Sequence, residues 1–381
     1  MRVFILSRGY PTKDDPAWGC FERDHALLLK NKGHEVVVFS VDKRFRMKGH
    51  WGINHRIADG INIYDCRLFP SRILLSIAPR LLVYLYSIFC LWTFKRAAKN
   101  HGLPEVIYSH YLANTAILGR VKRKFDIPIL AMEHWSVLLE KFRPKYVDVF
   151  AKYGYPLADK VIAVSEVLKK RLLELYNVDS IVINNIISPE FRYLSPQKHP
   201  EFRFISIGRL LELKGYDVLI NAFAKSKLLD NDVKLLIVGD DGGKKDELIG
   251  LSKSLKISHK IDFLGKKTNH ELANLFSTSD VFVLSSRSET FGVVFIEAMM
   301  YGLPVIGTRC GGPSEIINEG NGILVDVDNV DQLSDALIYM YNHVHEYNRL
   351  EISRNCSEKY SADVIYEKIY RCMYNLANFK K

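Results

Sequence analysis

Two short segments hold the residues whose types and spacing are best suited to chemistry. The first, GRLLELKGYDVLINAF (Gly208 to Phe223), follows an apolar run that reads as a buried strand, turns at Gly208 and enters a helical pattern. Arg209 and Lys214 lie on the intervening loop. In an open parallel sheet ligands bind at the carboxyl ends of the strands, so both cations are expected to point into a crevice. A guanidinium forks onto a phosphate and an ammonium adds a point charge, a pair suited to a diphosphate. Taken alone, the pair also reads as two surface cations beside a helix start.

The second segment, SSRSETFGVVFIEA (Ser285 to Ala298), follows the run Val281 to Leu284 and places Glu289 and Glu297 eight residues apart, with FGVV opening a helix between them. Gly292 lets the backbone approach a ligand closely. Amides at that helix start are placed to bind phosphate oxygens. Glu297 stands among Phe295, Ile296 and Ala298, where a carboxylate needs a polar partner, and ribose hydroxyls would be one. Its other reading is a solvated carboxylate on an amphipathic helix.

Such loops need strands to carry them, and short apolar runs alternate with longer helical patterns throughout, as in parallel sheets covered by crossover helices. In the first half the runs are Val3 to Leu6, Val36 to Phe39, Val106 to Tyr108, Ile129 to Met132, Val161 to Val164 and Ile181 to Ile183. In the second they are Phe204 to Ile207, Lys234 to Val238, Ile261 to Leu264, Val281 to Leu284, Val305 to Gly307 and Gly322 to Val325. Two comparable sets imply two similar α/β domains, which also suits a length of 381 residues. The proline-bearing segment Ser188 to Phe202 is the linker candidate, with a boundary near Ser195. Residues 1–190 would form one domain and 196–361 the other. Residues 362–381 read as a helix packing back on the first.

In order and spacing, these pieces resemble the retaining nucleotide-sugar glycosyltransferases of family 4 (glycosyltransferase group 1). The resemblance rests on Gly208 to Phe223 and the two glutamates, and spans nearly the whole chain. YPTKDDPAWGCFERDHALLLKNKGHEVVV resembles the family's opening glycine loop, helix and strand. LAMEHWS, VIAVSEVLKKRL, VGDDGG, DFLGKK, EAMMYGLPVIGT and GGPSEIINEGNGILV resemble later framework segments.

The resemblance implies the GT-B fold, two Rossmann-like doubly wound domains facing across a cleft, with the acceptor held by the first and the donor by the second. It implies that Arg209 and Lys214 hold the donor diphosphate, that Glu297 takes the ribose hydroxyls and that Glu289 lies near the transferred sugar. Phe291, Gly292 and Val293 would run along phosphates and sugar, and Leu264 and Gly265 would hold the base. Gly19 would close over the diphosphate and His134 would stand beside the sugar. The implied activity is transfer of a hexosyl or N-acetylhexosaminyl group, with retention, from a nucleoside-diphosphate sugar, UDP-linked in the first instance. The acceptor would be a hydroxyl of a glycan or lipid-diphosphate-linked molecule in bacterial surface polysaccharide biosynthesis. VINNIIS departs from the family, with Asn184 before Asn185, Ile186 after it and Ser188 where an acid is common; that position seldom carries chemistry, so the departure bears on the local turn rather than on the activity.

Two cations and helix-start amides fixed in a closed site stabilise a departing diphosphate without a metal, so neither cofactor nor metal is expected. Asp326-Val327-Asp328 is formally a DxD triplet, but it sits between a strand end and a helix start, where Asp328 reads as a cap. His110, ending a strand in YSHYLAN, reads as a packing histidine. A non-catalytic nucleotide-sugar-binding protein and a GT-B-fold sugar epimerase remain alternatives.

The net charge of +10 lies wholly in the first half: residues 1–195 carry 30 Lys+Arg against 18 Asp+Glu, and residues 196–381 carry 23 against 25. That asymmetry calls for a polyanionic partner. No basic recognition module for nucleic acid is present, and an anionic membrane surface with a lipid-linked acceptor fits better. The clusters Lys43 to Lys48 and Arg120 to Lys124 are the candidates, beside a loop from Lys43 to Arg56 expected to select the acceptor. The apolar stretch Ile73 to Phe94, interrupted at Pro79 and Arg80, reads first as a helix buried on both sides and second as an interfacial helix. Cys20, Cys66, Cys90, Cys310, Cys356 and Cys372 show no metal-like spacing and read as reduced packing residues. The opening run is too short for a signal-peptide core. The chain is thus expected to be cytoplasmic and peripherally bound to the inner face of the cell membrane.

Overall fold

Each of the twelve apolar runs marks a strand in the computed structural model, which describes residues 1–13, 15, 18–42, 51–68, 72–140, 142–188 and 191–378. The chain divides into two units, Met1–Ile186 with Ala362–Lys381, and Ile187–Ser361. The division thus falls ahead of Ser195. The final helix, Ala362–Asn378, belongs to the first unit, where it buries Ile365, Ile369 and Met373 and where Tyr366 meets His34 Nε2 at 2.9 Å.

The first unit is built on β1 (Arg2–Ser7), β2 (Glu35–Asp42), β3 (Gly52–Ala58), β4 (Ile61–Arg67), β5 (Val106–His110), β6 (Ile129–Glu133), β7 (Lys160–Ala163) and β8 (Ile181–Val182). They lie in the order β3-β4-β2-β1-β5-β6-β7-β8, parallel except for β3. Val3 pairs with Val36 on one side and Val106 on the other, so the middle of the sheet is apolar on both faces, as helix-covered parallel strands must be.

Two elements differ from the sequence reading. Gly52 to Arg56, expected as part of an acceptor loop, lies on β3, an antiparallel edge strand paired with β4; residues 43–50 of that loop and the cluster Lys43 to Lys48 lie outside the described residues. The hairpin turns at Asp59 (φ 53°) and Gly60 (φ 67°), two positive φ values of the kind a two-residue Asp-Gly turn requires. The stretch from Ile73 forms two helices, Arg72–Ile77 and Pro79–His101. The second is not buried on both sides. It seats Leu82, Tyr86, Cys90, Phe94 and Ala97 in the core, with Phe94 edge-on to Phe4 at 5.6 Å and Phe39 at 5.7 Å, and turns Leu81, Tyr84 and Trp92 outward. Its 23 residues are long and apolar enough to span a bilayer, but doing so would tear this face from the core.

The second unit carries β9 (Phe202–Ile207), β10 (Val233–Val238), β11 (Ile261–Gly265), β12 (Val281–Leu284), β13 (Val305–Thr308) and β14 (Gly322–Val325), all parallel, in the order β11-β10-β9-β12-β13-β14. Its strand order reverses between β9 and β12, with Phe204 opposite Val281. A crevice opens at the carboxyl ends of such a pair, and the two segments singled out for chemistry leave those two ends.

Candidate active site

From β9 the chain passes Gly208 and Arg209, forms a short turn at Glu212–Lys214 and enters the helix Tyr216–Lys225. From β12 it passes Ser285 to Gly292 and enters the helix Val293–Met300. The two loops are stitched together. Ser285 Oγ donates to the Gly215 carbonyl at 2.6 Å, and the Arg287 amide donates to the Leu213 carbonyl at 2.8 Å. This brings Lys214 Nζ onto Glu289 Oε1 as a hydrogen-bonded ion pair, both side chains mostly buried. Ser286 Oγ also donates to Glu289, at 3.0 Å, so the carboxylate is held from two sides. Arg209 stays exposed on the β9 loop.

At the start of the Val293–Met300 helix, Gly292 adopts φ 94°, and no side chain caps the helix. A residue with a Cβ would be strained there, and would also come within 2.9 Å of the Phe295 ring. The Phe291 ring is in the core, edge-on to Tyr360 at 5.7 Å, so only its backbone is placed to meet a ligand. Val293 opens the helix and Glu297 follows one turn later, partly exposed. Leu264 and Gly265 end β11; Leu264 lines an open cleft of about 610 Å³ with Lys267, His270, Asn274 and, from the start of the unit, Arg192 and Leu194.

Arg287, which sequence reasoning passed over, locks this arrangement. Its guanidinium bridges Asp217 (2.8 and 3.1 Å) and Asp328 (2.7 Å), tying both loops to the segment after β14. Its signal in the sequence is a lone cation between the loop serines and Glu289. The DxD acids are accordingly engaged: Asp328 by Arg287, and Asp326 by Arg309 at 3.0 Å. Asp328 does not cap the following helix. Asn329 does, accepting from the Gln332 amide at 3.0 Å, while Asp328 turns the chain at φ 58°. Among the described residues no group of three or more His, Cys, Asp or Glu is arranged to hold a metal ion.

The remaining two predicted residues lie in the first unit. Gly19 is the left-handed start of the helix Cys20–Asn31 (φ 79°), and a Cβ there would fall 2.2 Å from the Gly9 carbonyl oxygen, so the close approach of the two loops demands glycine. Phe21, two residues on, stacks over His134 at 6.3 Å. His134 follows β6 and is buried.

Both His134 ring nitrogens are occupied: Nδ1 meets Asn185 Oδ1 at 2.7 Å, and Nε2 meets His110 Nδ1 at 3.0 Å with the two rings nearly parallel. His110 is buried at the end of β5, as a packing histidine would be, and with Asn185 it fixes the His134 ring from both sides. Burial drives the His134 imidazole down to about 4, and holds His110 and His25 well below the usual histidine range. Three neutral imidazoles in contact follow.

Beside them Glu133 accepts from the amides of Leu112, His134 and Trp135, yet burial pushes its carboxyl up to about 7. Arg8 pairs with the fully buried Glu22 at 2.9 Å, and its guanidinium lies over Tyr111 at 3.9 Å and Trp18 at 5.0 Å. Burial alone would raise Glu22; Arg8 more than offsets it and keeps the carboxylate ionised. None of Arg8, Glu22, His25 or Glu133 was singled out from sequence. Only Glu133, a carboxylate ending an apolar run, left a local signal.

Two Rossmann-like α/β domains, the second with its functional loops at the point of strand reversal, are the halves of the GT-B fold. The solved structures agree. Sucrose-phosphate synthase from Thermosynechococcus elongatus superposes with a TM-score of 0.81 at 18% identity, covering 99% of both chains. Anabaena HepE in complex with UDP-glucose gives 0.72 at 19% identity, covering 98% of this chain and 100% of the other. Residues 23–191 match Glycosyltransferase Family 4, and residues 189–355 match Glycosyl transferases group 1. An uncharacterized glycosyltransferase of Methanocaldococcus jannaschii is 33% identical over 395 residues, 96% of each chain. N-acetyl-alpha-D-glucosaminyl L-malate synthase of Bacillus anthracis is 30% identical over 281 residues, 71% of this chain and 69% of the other. The chain belongs to glycosyltransferase family 4, group 1.

Proposed function

We propose that this glycosyltransferase works with retention and without a metal or other cofactor. It moves a hexosyl or N-acetylhexosaminyl group from a nucleoside-diphosphate sugar, UDP-linked in the first instance, to a hydroxyl of a glycan or lipid-diphosphate-linked acceptor. Its place is the cytoplasmic face of an anionic membrane, in the assembly of bacterial surface polysaccharide. The observation that carries the reading is the Lys214–Glu289 pair on stitched loops at the β9/β12 reversal, with Arg209 on the same loop as Lys214.

Breaking the bond from the sugar's anomeric carbon to the diphosphate leaves negative charge on the departing phosphate and positive character on the sugar. Arg209, Lys214 and the uncapped amides at Val293 are placed to stabilise the former, and a preorganised cationic site does so without reorganising at the moment of reaction. Glu297 binds the ribose hydroxyls. The acceptor hydroxyl attacks from the face the diphosphate leaves, and its proton passes to the departing phosphate oxygen. Glu289 is held by Lys214 and Ser286 and serves as a positioning carboxylate beside the sugar, not as a nucleophile. The names of the relatives support the donor class: HepE was solved with UDP-glucose, and the Bacillus anthracis synthase is named for N-acetylglucosaminyl transfer.

A panel of UDP-, GDP- and ADP-sugars, read by thermal shift and then by donor hydrolysis, tests the reading. The expected result is stabilisation by one UDP-sugar, slow hydrolysis without acceptor, and a product whose anomeric proton coupling matches the donor's. An inverted product defeats retention. Activity lost to chelator and restored by Mn²⁺ defeats metal independence, and donor binding with no turnover at all would mean a binding protein.

A further inference from the structure

We propose that the outward face of the Pro79–His101 helix, together with the neighbouring Gly119–Phe125 helix, is a docking surface for an anionic lipid bilayer. The helix is apolar on both sides. Its inner face is fixed in the core, while Leu81, Tyr84, Leu85, Ile88 and Trp92 follow one another at helical spacing along the opposite face. Leu81, Tyr84 and Trp92 are 46%, 55% and 53% exposed, and Ile77 just ahead of them is 76% exposed. A surface helix in water keeps a polar outer face, and a continuous apolar one marks an interaction site.

The charge around the stripe identifies the partner. The two helices together contain Arg80, Lys95, Arg96, Lys99, Arg120, Lys122, Arg123 and Lys124 and not one Asp or Glu. Arg120 lies with its guanidinium 4.6 Å over the Tyr84 ring, joining the basic helix to the apolar stripe. Lys95 stands against Lys124, whose charge disfavours that of Lys95, a contact that an anion would relieve. Lys122 does not share in this: it is paired with Asp159 at 2.5 Å. The acids nearest the two helices, Asp126 at the end of the second and Asp159, both lie against Lys122, which leaves the cations along the stripe facing outward. Aliphatic and aromatic side chains with such a cationic rim suit the boundary between acyl chains and anionic headgroups, where Tyr and Trp settle at the interface and long cationic side chains reach the phosphates. A second copy of the chain would set cations against cations in a two-fold contact. A nucleic acid would leave the Leu and Ile side chains without a role.

The proposal names the surface for the membrane part of the function given above and is independent of its chemistry, so the test uses vesicles without any sugar acceptor. The full chain is sedimented with phosphatidylcholine vesicles, alone and mixed with phosphatidylglycerol, at low and raised salt. Binding is expected only to the mixed vesicles, weakening with salt. A blue shift of tryptophan emission should accompany it and disappear in Trp92→Phe. Lys95→Ala and Lys124→Ala are each expected to weaken binding about fivefold, the ~1 kcal/mol that one cation contributes near such a surface. Leu81→Ser with Trp92→Ser should abolish the apolar part, and all four positions point outward, so melting temperature and donor hydrolysis in solution should not change.

Wild-type protein that ignores phosphatidylglycerol vesicles at low salt overturns the proposal, as does binding that survives all of these substitutions. So does self-association of the free protein that Trp92→Ser abolishes. Lost vesicle binding with intact donor hydrolysis separates a failure here from a failure of the enzymatic reading.

Discussion

In the second unit the candidate side chains Arg209, Lys214 and Glu289 stand on two neighbouring loops, partly open to solvent, and each lies within a few residues of a strand end. In the first unit the polar groups come from distant segments and all but Arg8 are buried: Arg8 after β1, partly exposed, Glu22 and His25 on the first helix, His110 at the end of β5, His134 after β6 and Asn185 beyond β8. On the proposed reading the open half meets charge that appears only during reaction, with Lys214 and Arg209 turned toward the diphosphate. The buried half pairs most of its polar groups with one another, leaving His25 Nε2 and His110 Nε2 without a hydrogen-bond partner among the described residues. It therefore holds shape, at the cost of keeping three imidazoles and one carboxyl away from their ordinary titration. Substitutions in the first unit are therefore expected to act mainly on stability and those in the second mainly on turnover.

The largest effect is expected at Glu22. It is fully buried and accepts three hydrogen bonds from Arg8, one from the amide and two from the guanidinium. Removing one member of a fully buried pair costs about 3–5 kcal/mol, and the partial exposure of Arg8 puts Glu22→Ala toward the lower end of that range. The urea midpoint should fall accordingly; a midpoint within about 1 kcal/mol of wild type would show that water alone satisfies Arg8 and that this pair does not hold the first unit.

At the open half, Lys214→Ala and Arg209→Ala should each lower kcat by about 10²–10³, or ~3–4 kcal/mol of transition-state stabilisation, with the urea midpoint nearly unchanged. Near-normal kcat in both would remove the diphosphate from this corner of the sheet. A loss of stability rather than of rate at Lys214 would make its pair with Glu289 structural and collapse the contrast between the halves.

The buried imidazoles add a pH dependence. A histidine held below its unfolded value of about 6.5 contributes stability that is complete above that value and lost as pH falls through the folded value, near 4 for His134. Glu133, raised to about 7, works in the opposite sense and loses its contribution as pH rises through 7. Chemical denaturation between pH 6.5 and 4 should show the first unit losing on the order of 3 kcal/mol per buried histidine shifted as far as His134, offset by a gain of similar size from Glu133. With Glu133→Gln the offset disappears, and a flat profile in that variant would mean that these rings are solvated.

The same contrast governs what could be read from the sequence. The strands and the donor loops were legible because an apolar run followed by a turn and a cation or acid is a local pattern: Arg209, Lys214, Glu289 and Gly292 all lie where their spacing put them. The first unit's network was not, since Arg8 and Glu22 are 14 residues apart and His134 and Asn185 are 51 apart, separations at which only folding brings them together. The β3–β4 hairpin was a different kind of miss. Asp59-Gly60 is a strong turn signal, but polar residues at alternate positions of Gly52–Ala58 suit an edge strand and mask it as loop. The Pro79–His101 helix misled because apolar composition reports hydrophobicity and not which side is covered.

The smallest effect should fall at Glu297, and it probes the open half at its edge. The residue lies one turn into a helix whose first amides face the phosphates in the proposed complex, partly exposed, so its removal costs little stability. A carboxylate accepting from ribose hydroxyls is worth about 1.5–3 kcal/mol in the complex. Because ribose is remote from the bond that breaks, that energy is present equally before and in the transition state. Glu297→Ala should therefore raise the donor Kd and KM by tenfold or more and leave kcat nearly intact. A fall in kcat at unchanged KM would move Glu297 from the ribose to the reacting sugar, and would make the open half a single catalytic cluster rather than a cationic corner with a separate nucleoside grip.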